Sequence, residues 1–167
     1  MIPFLFPFLY SASMIKNPEA PCMGTKTKRD DSVQTRARGD YYYKWKTYGE
    51  VDEEVEVLGY IINSKGFAKK VKDPETKKTI STIGICSINR EEWLITDLAC
   101  NWQNITSVPL YETLGNEMLE IILNQTEMAT LFGSDVCLTN ILKLINGRET
   151  FLKNIVTFDG EPTDQLR

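Results

Sequence analysis

Any chemistry in this chain must come from carboxylates, thiols, hydroxyls and lysines, because none of its 167 residues is a histidine. That removes Ser-His-Asp and Cys-His catalysis, HExxH zinc chemistry and imidazole proton switching. One spacing survives as a candidate reaction centre. Glu75-Thr76-Lys77 has the Glu-x-Lys order of a metal-dependent nuclease, with Asp52 or Glu54 upstream as the second acid. In such a site the acids hold a cation and the lysine steadies a charged intermediate. Glu75 follows Asp73-Pro74, though, which reads as a type I turn at an exposed hairpin tip. The acids Glu50, Asp52, Glu53 and Glu54 lack the spaced oxygens and turn glycine of an EF-hand, so they read as a docking face for a basic partner. No GxxxxGK[ST] loop and no GxGxxG after a strand is present, so phosphate-cradling readings lack their glycines. The expectation is a chain with no catalytic residue, no metal site, no cofactor and no small-molecule substrate.

Charge is distributed unevenly. Residues 16–46 hold eight basic and four acidic side chains, a net +4, and residues 47–167 hold eleven basic and nineteen acidic, a net −8. A basic arm therefore precedes an acidic body. Its cations Lys26, Lys28, Arg29, Arg36, Arg38, Lys44 and Lys46 are the candidates for contact with nucleic acid or lipid. Four of them interleave with Tyr41, Tyr42, Tyr43 and Trp45, a mixture suited to single-stranded nucleic acid or to anionic headgroups. The simpler reading is a strand that alternates Tyr41, Tyr43 and Trp45 toward a core with Tyr42, Lys44 and Lys46 toward water.

Cys22, Cys86, Cys100 and Cys137 show no CxxC spacing and read as reduced thiols of an intracellular protein. Ile2 to Tyr10 is apolar and precedes Ser11-Ala12-Ser13, as a signal peptide would, but it lacks a positive n-region and contains Pro3 and Pro7. It is also short of the roughly 20 apolar residues of a membrane-spanning helix. Secretion would make the sequons at Asn104 and Asn124 meaningful; without it they are chance matches.

The elements that position these groups follow from periodicity. Residues 1–40 read as an apolar start and a flexible arm, 41–158 as one α+β domain, and 159–167 as a loose tail. Val55–Ile62, Phe67–Lys72, Ile80–Ile88 and Trp93–Leu98 read as strands, which with Tyr41–Tyr48 gives an antiparallel β-meander of three to five strands. Two C-terminal helices then pack on it. Leu114, Met118, Ile121, Ile122, Met128 and Leu131 share one helical face, and Ser134 caps a second helix that stops at Gly147.

A basic arm before a compact α+β body resembles the layout of small matrix-type structural proteins of negative-strand RNA viruses (rhabdovirus-like). That resemblance implies a non-enzymatic, self-associating virion protein that binds a nucleocapsid, single-stranded RNA or an anionic membrane in host cytoplasm. The sequence departs from the pattern in its acidic body and in lacking a PPxY budding signal. A carboxylate-metal nuclease or hydrolase and a secreted glycoprotein are the alternatives.

Overall fold

The structure is a computed structural model that describes residues 5–28, 40–72, 75–111 and 114–160, with side chains from residue 10 onward. It divides into two units, Met1–Val55 and Glu56–Arg167.

In the first unit α1 (Leu5–Lys16) is followed by β1 (Pro21–Lys28) and β2 (Tyr41–Thr47), which pair antiparallel as a two-stranded ribbon. Part of the supposed arm is thus a strand. A register shift between Pro21 and Met23 bulges its start. The Tyr10 hydroxyl donates to the Tyr48 carbonyl at 3.4 Å, and the Gly49 amide donates to the Pro18 carbonyl at 2.8 Å. α2 (Tyr48–Ser64) then begins at a capping box. The Glu50 amide donates to Thr47 Oγ1 at 3.2 Å while the Thr47 amide donates to Glu50 Oε2 at 2.7 Å. Val51, Val55, Gly59 and Ile62 are buried at helical spacing. Val55–Ile62, expected as a strand, is therefore helix: its 3.6 period and its cap outweigh the local Val-Glu-Val alternation.

The second unit is built on β3 (Lys70–Lys72), β4 (Thr79–Cys86), α3 (Glu91–Trp102), β5 (Thr106–Pro109), α4 (Asn116–Thr126), β6 (Thr130–Gly133), α5 (Asp135–Ile145) and β7 (Asn154–Thr157). Only the edge pair β3–β4 is antiparallel; β4 pairs parallel with β5 and with β6, and β6 pairs parallel with β7. The spatial order of the parallel strands is β5-β4-β6-β7. The α+β class stands, but the sheet is a parallel crossover sheet and not a meander. Helices fill the connections because parallel neighbours cannot be joined by a tight turn.

Trp93–Leu98, expected as a strand, lies inside α3. The long helix expected through Leu131 stops at Thr126, and its last apolar stretch is β6, whose four residues are all buried. A strand covered on both faces shows a continuous apolar run and no alternation, so periodicity alone could not separate it from a helix.

Right-handed crossovers place α3 on one face of the sheet and α4 with α5 on the other. The packing agrees. Leu119 and Leu123 of α4 and Cys137, Leu138 and Ile141 of α5 form one buried cluster with Cys86, Leu110, Met128 and Leu131, and it includes no residue of α3. Gly84 leaves room for two of them: a Cβ would stand 2.5 Å from the Met128 sulfur and 2.7 Å from a Leu131 methyl, so these side chains would have to shift. Phe132 is buried with its ring 6.1 Å from Phe67 and 6.4 Å from Phe158.

Candidate functional site

In open parallel sheets, ligands bind outside the carboxyl ends of the strands, at the point where the strand order reverses. Here that point lies between β4 and β6, because the chain leaves β4 toward β5 on one side and returns to β6 on the other. Three segments meet at this edge: residues 87–90 after β4, residues 134–135 after β6, and residues 158–159 after β7.

The backbones approach closely. A Cβ on Gly133 would stand 2.1 Å from the Cys86 carbonyl oxygen, so only glycine fits. The Ser134 amide donates to that same oxygen at 3.1 Å, and the Phe158 amide donates to the Gly133 carbonyl at 2.8 Å. Ser134 stands at the start of α5 as expected, but its hydroxyl makes no capping bond to the helix backbone and is directed to the Cys137 sulfur at 3.1 Å. The buried Ser87 Oγ has no hydrogen-bond partner.

Arg90 binds the edge together. Its Nε and Nη2 donate to the two oxygens of Glu92 at 2.7 and 2.9 Å, a bidentate pair. Its Nη1 donates to Asp159 Oδ1 at 2.5 Å, and Nη2 reaches the Phe158 carbonyl at 3.3 Å. The other Asp159 oxygen accepts the Asp135 amide at 2.7 Å, at the start of α5. Thr157 Oγ1 donates to the Asp135 carboxylate and accepts the Asp159 amide at 3.0 Å. The Arg90 hydrogen bond, and then the Asp135 amide, hold the Asp159 carboxyl below its usual range. Pairing with Glu92 raises Arg90 above its own usual value.

Asp159 therefore already occupies the anion position at the α5 N-terminus. One cation, Arg90, is shared by Glu92 and Asp159, while the Asp135 carboxylate accepts the Thr157 hydroxyl. The arrangement ties three loops into one rigid edge. Sequence reasoning missed it because Arg90, Asp135 and Asp159 are far apart in the chain. The acid in the first turn of α5, Asp135, was the one local signal.

The residues singled out in the sequence lie elsewhere. Lys26 and Lys28 are exposed on β1, Lys44 is exposed on β2, and Lys46 is half-buried, 2.7 Å from Glu54. Arg29, Arg36 and Arg38 lie outside the described residues. Glu50 caps α2, and its carboxyl is lowered by the Thr47 amide. Asp52, Glu53 and Glu54 line α2, with Glu53 exposed. Glu75, Thr76 and Lys77 are exposed between β3 and β4. Among the described residues no group of three or more Cys, Asp or Glu could hold a metal. All four cysteines are free thiols, and burial pushes Cys100 up to about 12. No helix of the described residues is long and apolar enough to cross a membrane.

The second unit is thus a parallel crossover sheet with helices on both faces and a carboxyl edge closed by its own side chains. The family follows from residues 25–166, which match the model of the AMP-binding enzymes: the chain belongs to that family. It is 31% identical over 157 residues to long chain acyl-CoA synthetase 4 of Arabidopsis thaliana, covering 94% of this chain and 21% of that protein. It is 36% identical over 130 residues to long-chain-fatty-acid–CoA ligase 5 of Mus musculus, covering 75% of this chain and 17% of that one. The chain thus spans about a fifth of the length of these relatives. In fold it is similar to the A domain of the carboxylic acid reductase of Segniliparus rugosus, solved with AMP and a carboxylic acid. The TM-score is 0.65 at 18% identity, over 93% of this chain and 24% of that one.

These findings correct the functional expectation. The family is one of enzymes, so the non-enzymatic, virion-type reading falls with the resemblance that suggested it, and so do its self-association, nucleocapsid, RNA and anionic-membrane partners. The nuclease and secreted-glycoprotein alternatives fall with it. The absence of a small-molecule substrate is likewise overturned. Layout and charge misled because neither is specific to a fold.

Proposed function

We propose that this chain forms part of a ligase that joins a long-chain fatty acid to coenzyme A with ATP. The family match over residues 25–166, with relatives that are long-chain acyl-CoA synthetases, is the observation that carries the reading. A carboxylate does not condense with a thiol unaided in water, and an AMP-binding enzyme supplies the activation. The carboxylate oxygen attacks the α-phosphorus of ATP and pyrophosphate leaves. The thiol sulfur then attacks the acyl carbon, loses its proton, and AMP leaves. Two easier steps replace one difficult step.

The part this chain plays is architectural. Arg90 and Asp159 fix the loops at the carboxyl edge of the sheet, and Gly133 lets β4 and β6 close against each other. Rigid placement of such an edge is what positions reacting groups in the correct geometry.

The test is a coupled assay of the purified protein carrying this chain, given ATP, coenzyme A and palmitate. AMP and palmitoyl-CoA should appear in equal amounts, and acetate should be a poor substitute. Failure to release AMP with palmitate, acetate or an aromatic acid would overturn the reading. Equal turnover of all three would overturn the long-chain part alone.

A further inference from the structure

The start of α2 is completed by a distant part of the chain. A helix leaves its first amides without partners of its own, and a capping side chain satisfies only one of them. Three find acceptors here. The Tyr48 amide donates to the Ala20 carbonyl at 3.0 Å, the Gly49 amide to the Pro18 carbonyl at 2.8 Å, and the Glu50 amide to Thr47 Oγ1 at 3.2 Å. Two of these acceptors belong to the turn between α1 and β1. That turn is shaped by its own bonds, from the Asn17 amide to the Ser13 carbonyl at 2.9 Å and from the Ala20 amide to the Asn17 carbonyl at 3.0 Å. Pro21, the next residue, stands opposite Thr47 in the ribbon register.

Tyr10 ties α1 to the same place. Its ring lies 5.8 Å from the Tyr48 ring, and its hydroxyl donates to the Tyr48 carbonyl. Burial, and then the nearby Asp52 carboxylate, raise the Tyr10 hydroxyl above the ordinary phenol value, so the oxygen keeps the proton it donates. The hold is slight. The hydroxyl bond is long at 3.4 Å. The ribbon that leaves the turn adds little burial: Tyr41, Tyr43 and Trp45, expected to face a core, are 51%, 60% and 57% exposed.

We propose that the turn between α1 and β1 is a latch on α2. Docked, it lends the Ala20 and Pro18 carbonyls to the helix. Released, it leaves the Tyr48 and Gly49 amides unpaired, and the capped end of α2 opens with it. The turn and the helix start share their bonds, so coupling runs both ways: whatever loosens one loosens the other by the same factor. A segment with few buried apolar contacts opens well below the free energy of global unfolding, so the latch moves while the sheet stays closed. It is independent of the ligase reading, because none of its groups belongs to the carboxyl edge of the sheet.

Hydrogen exchange of the full chain, read by mass spectrometry on peptides covering 13–20 and 48–51, tests this, with 130–141 in the sheet core as the reference. Tyr10→Asp sets a charge beside Asp52 and should speed exchange in both peptides about 25-fold, the loss of two bonds at about fivefold each. The reference peptide should not change. Tyr10→Phe removes only the long hydroxyl bond and should speed both by about fivefold or less. Thr47→Ala removes the side-chain cap without touching α1, and should speed 13–20 as much as 48–51, by about fivefold. Three outcomes overturn the proposal: 48–51 as protected in Tyr10→Asp as in the wild type, a Thr47→Ala variant that speeds 48–51 alone, or one that speeds 130–141 along with the other two. Should Tyr10→Asp fail to fold, Thr47→Ala decides alone. The readout contains no turnover, so its failure is distinct from failure of the ligase reading.

Discussion

The two units of this chain solve the problem of apolar side chains in opposite ways. The unit ending at Val55 carries three large aromatics on the outer face of a two-stranded ribbon. The unit from Glu56 buries Ile83, Ile85, Leu131, Phe132, Leu138 and Ile141 within a crossover sheet and its helices. A ribbon of two strands is marginal alone; here one face pairs with α2 through Lys46 and Glu54, and the other keeps its rings exposed. A doubly wound sheet has both faces covered, so the apolar residues of its central strands go to its own stability. The first arrangement suits recognition and the second suits rigid placement.

Substitutions should separate the two. Phe132→Ala removes a buried ring that touches Phe67 and Phe158, and should cost about 4 kcal/mol in urea unfolding followed by circular dichroism. A cost below about 1 kcal/mol would mean that the sheet core is not packed as described. Gly133→Ala should cost about 3 kcal/mol, because the new methyl meets a backbone carbonyl that cannot rotate aside. Thr47→Ala removes the cap of α2 and should cost about 1 kcal/mol, most visible as lost helicity.

Asp159→Asn should cost about 1 kcal/mol at neutral pH, a figure kept small because the pair is partly exposed. Its pH dependence has a definite sign. The folded Asp159 carboxyl lies below its unfolded value, so its stabilisation is complete above the unfolded value near ~4. It is lost as pH falls through the lower folded value. The wild type and Asp159→Asn should therefore differ by a constant amount above about pH 5 and converge as acid protonates the folded carboxyl. Arg90 remains charged throughout. Stability curves that stay parallel into acid would remove the network from the account. Trp45→Ser should be the mildest, within about 0.5 kcal/mol, because its ring already faces water. A large loss there would show that the ribbon relies on its outer face.

The sequence made the strands at Tyr41–Thr47 and Thr79–Cys86 legible, together with the helix after Ser134 and its stop near Gly147, where φ is +75°. These segments carry strong local signals: β-branched or aromatic runs, a capping residue and a glycine in the left-handed region. α2 was equally legible, since Thr47-Tyr48-Gly49-Glu50 is a capping-box pattern, but the acids and valines after it imitate a strand. α3 was hidden by Trp93-Leu94-Ile95, which has strand-like composition and helical burial at Ile95, Leu98 and Ala99. The parallel order of β5-β4-β6-β7 follows from contacts distant in sequence, and only correctly placed intervening helices would have suggested it. The Arg90–Asp159 pair spans 69 positions and has no local signature at all.

The contact between Gly84 and Met128 turns the core into a chemical clock. The Met128 thioether is 1% exposed and rests in the space that a Cβ on Gly84 would fill. Peroxide cannot deliver an oxygen atom to that sulfur until the sheet and its covering helices part. Met118 is about half exposed on α4, so its sulfur can be reached without any opening. Sulfoxide at Met118 therefore reports the oxidant, and sulfoxide at Met128 reports unfolding. The ratio of the two peptides by mass spectrometry gives the fraction of time the sheet stands open without an added label, and each oxidised Met128 leaves a polar oxygen that the closed core cannot readmit.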